Sequence, residues 1–152
     1  MRDVAIPVMV PAMNEAALAL VRRVEDGLLG MPQPKIETHH VIHAGMYFRT
    51  VMIPAGLAIT GALVKIPTVL TVSGDTVVWL GGERTRITGY AVLPAAAGRK
   101  QLFIALTDTY ITMSFPTKAE TVEEAEREFT EEFDRLASRR DGAVNVVTGD
   151  KT

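Results

Sequence analysis

The chain has 152 residues, no cysteine and a formal net charge of −2. That length suits one domain with a core of its own, and the missing cysteines exclude disulfides, thiolate metal sites, iron–sulfur clusters and cysteine nucleophiles together. The charge balance supplies no global field to draw in nucleic acid or an acidic membrane surface.

Residues 1–11 read as an extended arm, because Pro7 and Pro11 fix the backbone and each removes a donor. The arm is expected to lie on its own domain or on a neighbour. Asp3, Pro7, Pro11 and Glu15 interrupt this apolar stretch, so it does not read as a signal peptide. Residues 13–29 predict a helix: Asn14 is placed to cap it, Leu18, Val21, Val24 and Leu28 recur at three- and four-residue spacing, and Gly30 and Pro32 stop it. Residues 31–35 form a short stiff linker.

From 36 to 115 the chain is rich in Val, Ile, Thr and Tyr and is punctuated by Gly and Pro. Strands are predicted near 36–43, 46–53, 58–64, 68–72, 75–80, 84–88, 90–93, 101–106 and 109–115. The expected turns are Ala44-Gly45, Pro54-Ala55-Gly56, Ser73-Gly74-Asp75, Gly81-Gly82 and Ala97-Gly98. Short strands at this spacing, with no long helical pattern between them, predict a sandwich or barrel and not a parallel α/β sheet. The longest apolar run, Val51 to Val72, contains Pro54, Gly56, Gly61, Lys65 and Pro67. It is too broken for a membrane helix, which needs about 20 apolar residues.

A last helix is predicted from Thr121, where Thr121 and Glu124 form a capping box. Glu123, Glu124 and Glu126 suit its first turns, and Arg135, Arg139 and Arg140 its far end. Val122, Ala125, Phe129, Phe133 and Leu136 make a narrow apolar stripe, enough to dock one face. The tail beyond Gly142 has no cap or stop and is expected to be loose. The division expected is an arm and helix over 1–34, a β domain over 35–117, and a charged helix and tail over 118–152.

His39, His40 and His43 are the only histidines. On a strand His39 and His40 point to opposite faces, and His39 and His43 share a face but stand roughly 13 Å apart. One metal at about 2.1 Å from each ligand cannot take both, so hydrogen-bonding roles are expected, with a shared site at a dimer interface left open. Tyr47 and Arg49 also share a strand face. They are placed either to grip a ligand carboxylate or phosphate at a barrel mouth, or to pair with an acidic neighbour and fix packing. Arg99-Lys100 follow a turn and read as a solvated basic pair. The glutamates from 123 to 132 lie around a helix without calcium-loop spacing. No nucleophile elbow, phosphate loop or dinucleotide fingerprint is present. With one Trp and no aromatic residues interleaved with basic ones, nucleic acid is not an expected partner.

The segments Glu37-Thr38-His39-His40, Gly45-Met46-Tyr47-Phe48-Arg49, Ile53-Pro54-Ala55-Gly56 and Thr60-Gly61 form a pattern that continues through Ser73-Gly74-Asp75, Ala97-Gly98-Arg99-Lys100 and Asp108-Thr109. Over residues 35–117 it resembles small cupin-like proteins encoded by tailed bacteriophages and prophages. The resemblance implies a jelly-roll (cupin-like) double-stranded β-barrel that forms dimers or higher assemblies. Enzymatic cupins bind a metal through a His-x-His pair, a Glu and a later His. Here the residues after Gly61 are Ala62-Leu63-Val64-Lys65, and the second half offers Gly98-Arg99-Lys100-Gln101 with no His.

The function expected on this basis is that of a non-enzymatic structural protein of a phage particle, a capsid cement or decoration protein. It would act as a homodimer on the virion, present in the host cytoplasm during assembly. Val122, Phe129, Phe133 and Leu136 would meet partner proteins, with no catalytic residue, no metal, no cofactor and no membrane partner. The alternatives are a small-molecule- or metal-binding cupin, using Tyr47, Arg49 and His40 inside the barrel, and an assembly accessory that never enters the particle. The structural role predicts a barrel filled with Val, Ile and Leu; the binding role predicts bound metal or ligand and a deep polar pocket.

Overall fold

The computed structural model describes the backbone of residues 2–4 and all of residues 9–149. The predicted positions Pro7 and 150–152 lie outside the described residues. Strand β1 (Arg2–Val4) precedes helix α1 (Glu15–Leu29), and then come β2 (Thr38–His43), β3 (Met46–Ile53), β4 (Ala58–Thr60), β5 (Thr68–Leu80), β6 (Glu83–Ala95), β7 (Leu102–Ala105) and β8 (Thr109–Pro116). Helix α2 (Val122–Phe129), two 3-10 turns (Phe133–Arg135 and Ala137–Arg139) and strand β9 (Asn145–Gly149) complete the chain.

The strands form one curled, mainly antiparallel sheet in the order β1-β6-β5-β8-β3-β2-β9, with β7 joining β5 to β4. Strands far apart in sequence are neighbours: β3 pairs with β8 along its whole length, and β8 pairs in turn with β5. This is the jelly-roll arrangement, in which the sheet rolls up around its own apolar face. Alternation sets that face. Leu70 and Val72 of β5, Ile111 and Met113 of β8 and Ile53 of β3 point inward with Ile87, Leu93 and Phe103. No helix among the described residues is long and apolar enough to cross a membrane.

The central hairpin departs from expectation. The pairs of strands predicted at 68–72 and 75–80, and at 84–88 and 90–93, are each one continuous strand of 13 residues. Ser73-Gly74-Asp75 is therefore not a turn. Gly74, at φ +146°, pairs with Gly89, at φ +78°, and the two let the long hairpin bend without breaking. Before the bend β5 pairs with β8, and after it with β7. The bend is thus what carries one hairpin from one side of the roll to the other.

Helix α1 matches its predicted ends: the Asn14 Oδ1 accepts from the Ala17 amide at 2.8 Å, and Gly30 closes the last turn. Ala17, Val21 and Met13 pack on Leu102, so the helix lies against the β4–β7 side. The arm also lies on its own chain. Val10 is fully buried, and its backbone exchanges hydrogen bonds of 2.8 Å with Pro94 and Ala96.

The C-terminal segment corrects three expectations. First, α2 is only eight residues long, because Thr130 is extended (φ −151°, ψ 146°) and the Lys65 amide caps the Phe129 carbonyl at 2.8 Å. Arg135, Arg139 and Arg140 therefore lie beyond the helix, not in its last turn. Second, the stripe expected to meet partners is used inside the chain. Phe129 and Leu136 are buried with Tyr47, Phe115 and Met113, and Val122 and Phe133 pack against that cluster. Third, the tail is not loose: Asn145–Gly149 adds to the sheet edge, parallel to β2.

Candidate functional site

The two histidine faces are as the strand period requires. His39 and His43 are exposed on one side of β2, and His40 is buried on the other. Each ring nitrogen of His40 has one partner, the Tyr47 hydroxyl at 2.7 Å from Nδ1 and the Asn145 Oδ1 at 2.7 Å from Nε2. Because the Asn145 amide nitrogen donates to the Ser138 carbonyl, its oxygen is the acceptor. Nε2 therefore carries the proton and Nδ1 accepts from Tyr47. Burial holds the His40 imidazole below its usual value, against the pull of the Asn145 bond, so the ring is neutral near pH 7. Burial likewise pushes the Tyr47 phenol up to about 12, keeping it a donor.

Arg49, two residues along the same face, pairs with the buried Glu126 at 2.7 Å and donates to Ser138 at 3.0 Å. Burial disfavours the Glu126 carboxylate, but the Ser138 hydroxyl, Arg49 and Arg139 outweigh it and hold its pKa below the usual carboxylate range. Of the two roles expected for Tyr47 and Arg49, pairing with an acidic neighbour is the one the geometry displays. The chain of contacts from Asn145 through His40, Tyr47 and Arg49 to Glu126 clasps β9, α2 and the second 3-10 turn to β2 and β3.

Beside this clasp the barrel holds a cavity of about 370 Å³. Its walls are Val51, Ile59, Leu70, Phe103, Ile111 and Met113, and Gln33, Asp134 and Arg140 are among its exposed lining residues. The size lies within the usual range for small-molecule pockets, about 300–1,000 Å³.

Arg99 and Lys100 also line it, and they correct the expectation of a solvated pair: each is 1% exposed. An isolated bridge pairs the backbones of Val64 and Arg99, and the Arg99 and Lys100 side chains are both enclosed by the protein. Lys100 sits between Glu25 at 2.9 Å and Glu132 at 3.0 Å. Burial would raise the Glu132 carboxyl, but the Leu63 amide at 2.6 Å, Lys100 and Arg22 hold it at about 2. Arg99 has no carboxylate partner among the described residues. Its guanidinium donates to the Ala96 carbonyl at 2.6 Å and to the Thr68 hydroxyl at 2.5 Å, and its Nε has no partner. Burial lowers it to about 10, which leaves it cationic at neutral pH. The Oε1 of the neighbouring Gln101 is buried and unpartnered as well.

The residues present do not fit the metal site of enzymatic cupins. His40 has both nitrogens engaged, His39 and His43 face away from the barrel interior, and no group of three or more His, Asp or Glu among the described residues is arranged to hold a metal ion.

Solved structures similar to this chain include ectoine synthase from P. lautus, with 18% identity over 65% of this chain and 76% of that one and a TM-score of 0.47. A cupin-2 domain protein from Shewanella frigidimarina shows 10% identity over 60% and 90%, at 0.43. Salicylate 1,2-dioxygenase from Pseudoaminobacter salicylatoxidans shows 18% over 76% of this chain but only 33% of that one, at 0.46. No family model and no curated protein matches the chain. The likenesses are too distant to carry an activity over, and none speaks of a phage particle.

Proposed function

We propose that this protein is a small-molecule-binding barrel that holds its ligand without transforming it. The observation that carries the reading is the cavity within the jelly roll. The interior is not packed solid with Val, Ile and Leu as a purely structural barrel would be. Val51, Ile59 and Ile111 instead wall a space large enough for a compact organic molecule. Interiors are normally close-packed, and leaving this volume open forgoes dispersion contacts on every wall. An apolar ligand body restores them. Binding is read in preference to catalysis because the ionisable groups around the site, His40, Glu126 and Glu132, are each already engaged by neighbours.

The test is a substitution that fills the space and leaves the polar clasp alone. Val51 faces the cavity from β3 and is half-buried. Wild-type protein titrated with small branched-alkyl and aryl compounds is expected to bind one or more of them and to gain thermal stability. Val51→Phe, with a strand-compatible side chain, is expected to remain folded and lose that gain. No binding by the wild type across such a set, or equal binding by Val51→Phe, defeats the reading.

A second reading concerns partners and is favoured by a different surface. On the outer face of β6, β5, β8 and β3 the residues in register are Tyr90, Ser73, Tyr110 and Met52 in one row and Val92, Thr71, Thr112 and Thr50 in the next. Pro94, Val69, Ser114 and Phe48 make the third row. None is charged, in a chain with 22% charged residues. Tyr90 is 72% exposed and Tyr110 54%. We propose self-association through this face. It also takes over the role first given to the stripe of Val122, Phe129, Phe133 and Leu136, which is used within the chain. A place in a virion rests on the resemblance, with the arm and that stripe as its contact surfaces.

A further inference from the structure

We infer that the ligand of the barrel is a small organic monocarboxylate, its apolar body in the cavity and its carboxylate paired with Arg99. This rests on the reading of the cavity as a binding site and adds the chemical class.

The inference follows from how the buried cations around the cavity are matched. Arg49 has Glu126 at 2.7 Å, and Lys100 has Glu25 and Glu132 at 2.9 and 3.0 Å. Arg99, as buried as Lys100, has only neutral acceptors among the described residues, a carbonyl and a hydroxyl. A guanidinium removed from water without a counter-charge is costly, and the same chain has neutralised both of its neighbours. The fixed guanidinium fork is the group best suited to a carboxylate. Its Nε is the donor left without a partner.

The rest of the lining limits what shares the site with that carboxylate. Leu70, Phe103, Ile111 and Met113 accept an alkyl or aryl body and give no partner to a second charge. Of the other charged groups on the lining, Lys100 and Arg135 are paired with Glu25 and Glu132, and Arg140 stands at the exposed mouth. One negative charge on an apolar body is what the cavity matches. The Oε1 of Gln101, buried and unpaired two residues beyond Arg99 and on the same lining, adds an acceptor. It suits a hydroxyl or amide hydrogen on the ligand.

The experiment compares matched pairs on the full chain by calorimetric titration. The probes are C4–C10 linear, branched and aryl monocarboxylic acids, each beside its own primary amide. The acid is expected to bind roughly 10- to 100-fold tighter than its amide, the scale of a charge-assisted hydrogen bond set against a neutral one. Arg99→Gln is expected to reduce that ratio to near one. Should Arg99→Gln fail to fold, the wild-type Arg99 Nε–H resonance supplies the readout, shifting on addition of the acid and not of the amide. Acid and amide binding equally well overturns the carboxylate inference and leaves the cavity reading standing. Binding of neither class overturns both. A resonance that ignores the bound acid overturns the pairing with Arg99.

Discussion

At the scale of single residues, His40 shows how burial sets a protonation state and how the state can be checked. The ring has one donor and one acceptor partner, and a second proton on Nδ1 would face the Tyr47 hydroxyl with donor against donor until that hydroxyl turned. Burial already holds the folded pKa below the usual 6.5. The sign follows: the neutral ring stabilises the fold in full above the unfolded value of 6.5. That contribution is lost as pH falls below 6.5 toward the lower folded value, because only the unfolded chain takes up the proton freely. Denaturant unfolding between pH 8 and 5 is expected to show stability falling below pH 6.5 in the wild type. His40→Gln is expected to lose about 1–3 kcal/mol at pH 8 and to show a shallower slope. An unchanged slope in His40→Gln would place the proton uptake elsewhere. The partition of the histidines between two strand faces was legible in their spacing. The burial of Arg99 and Lys100 was not, since a basic pair after Ala97-Gly98 has the local pattern of a solvated turn. What draws it inward is Thr68, Glu25 and Glu132, at sequence distances that no local pattern encodes.

At the scale of elements, helix α1 and the strand positions were readable because their signals are local: the Asn14 cap, the three- and four-residue spacing, and the alternation of β-branched residues. The Gly-containing segment 73–75 misled for a physical reason. Ser-Gly-Asp suits a turn, but Gly also suits a place where another backbone comes close. A Cβ at Gly74 would lie 2.6 Å from the Thr109 Oγ1 and 2.9 Å from the Thr109 Cα, at a φ of +146°. Gly74→Ala is therefore expected to lose about 2–4 kcal/mol, from backbone strain and overpacking together. Gly89→Ala, which has open space around its Cβ position and only a φ of +78° against it, is expected to lose less. Thermal melts of the two variants check the order, and equal losses would mean the close approach to Thr109 contributes nothing. The C-terminal strand was illegible for the opposite reason. Asn145–Gly149 carries no signal of its own, and its order comes from pairing with β2 more than a hundred residues away.

At the scale of the whole molecule, the roll has two faces with different work to do. The inner face lines a cavity that opens to solvent beside Gln33, Asp134 and Arg140, with Arg49 of the polar clasp and Phe129 of α2 on its wall. The outer face of β6, β5, β8 and β3 is left open, and its size fixes how strongly it can act. Four strands about 4.8 Å apart, each giving a segment of about five residues at about 3.3 Å per residue, make a footprint on the order of 300–400 Å². That is as large as the apolar patches monomers commonly tolerate, and about half of the ~800 Å² per partner in a standard stable interface. The association expected is therefore weak and dependent on concentration, not an obligate dimer. Thr71 stands at the middle of the face, between Val92 and Thr112, and its side chain takes no part in the core. A Lys there, brought near its own copy across a two-fold axis, sets two like charges in the centre of the contact. Sedimentation velocity over a range of concentrations is expected to show a monomer–dimer equilibrium for the wild type and monomer throughout for Thr71→Lys, with the melting temperature unchanged. A wild type that stays monomeric at every concentration would remove self-association. A Thr71→Lys protein that still dimerises would move the contact to another surface, the exposed strand edge at β9 being the next to substitute.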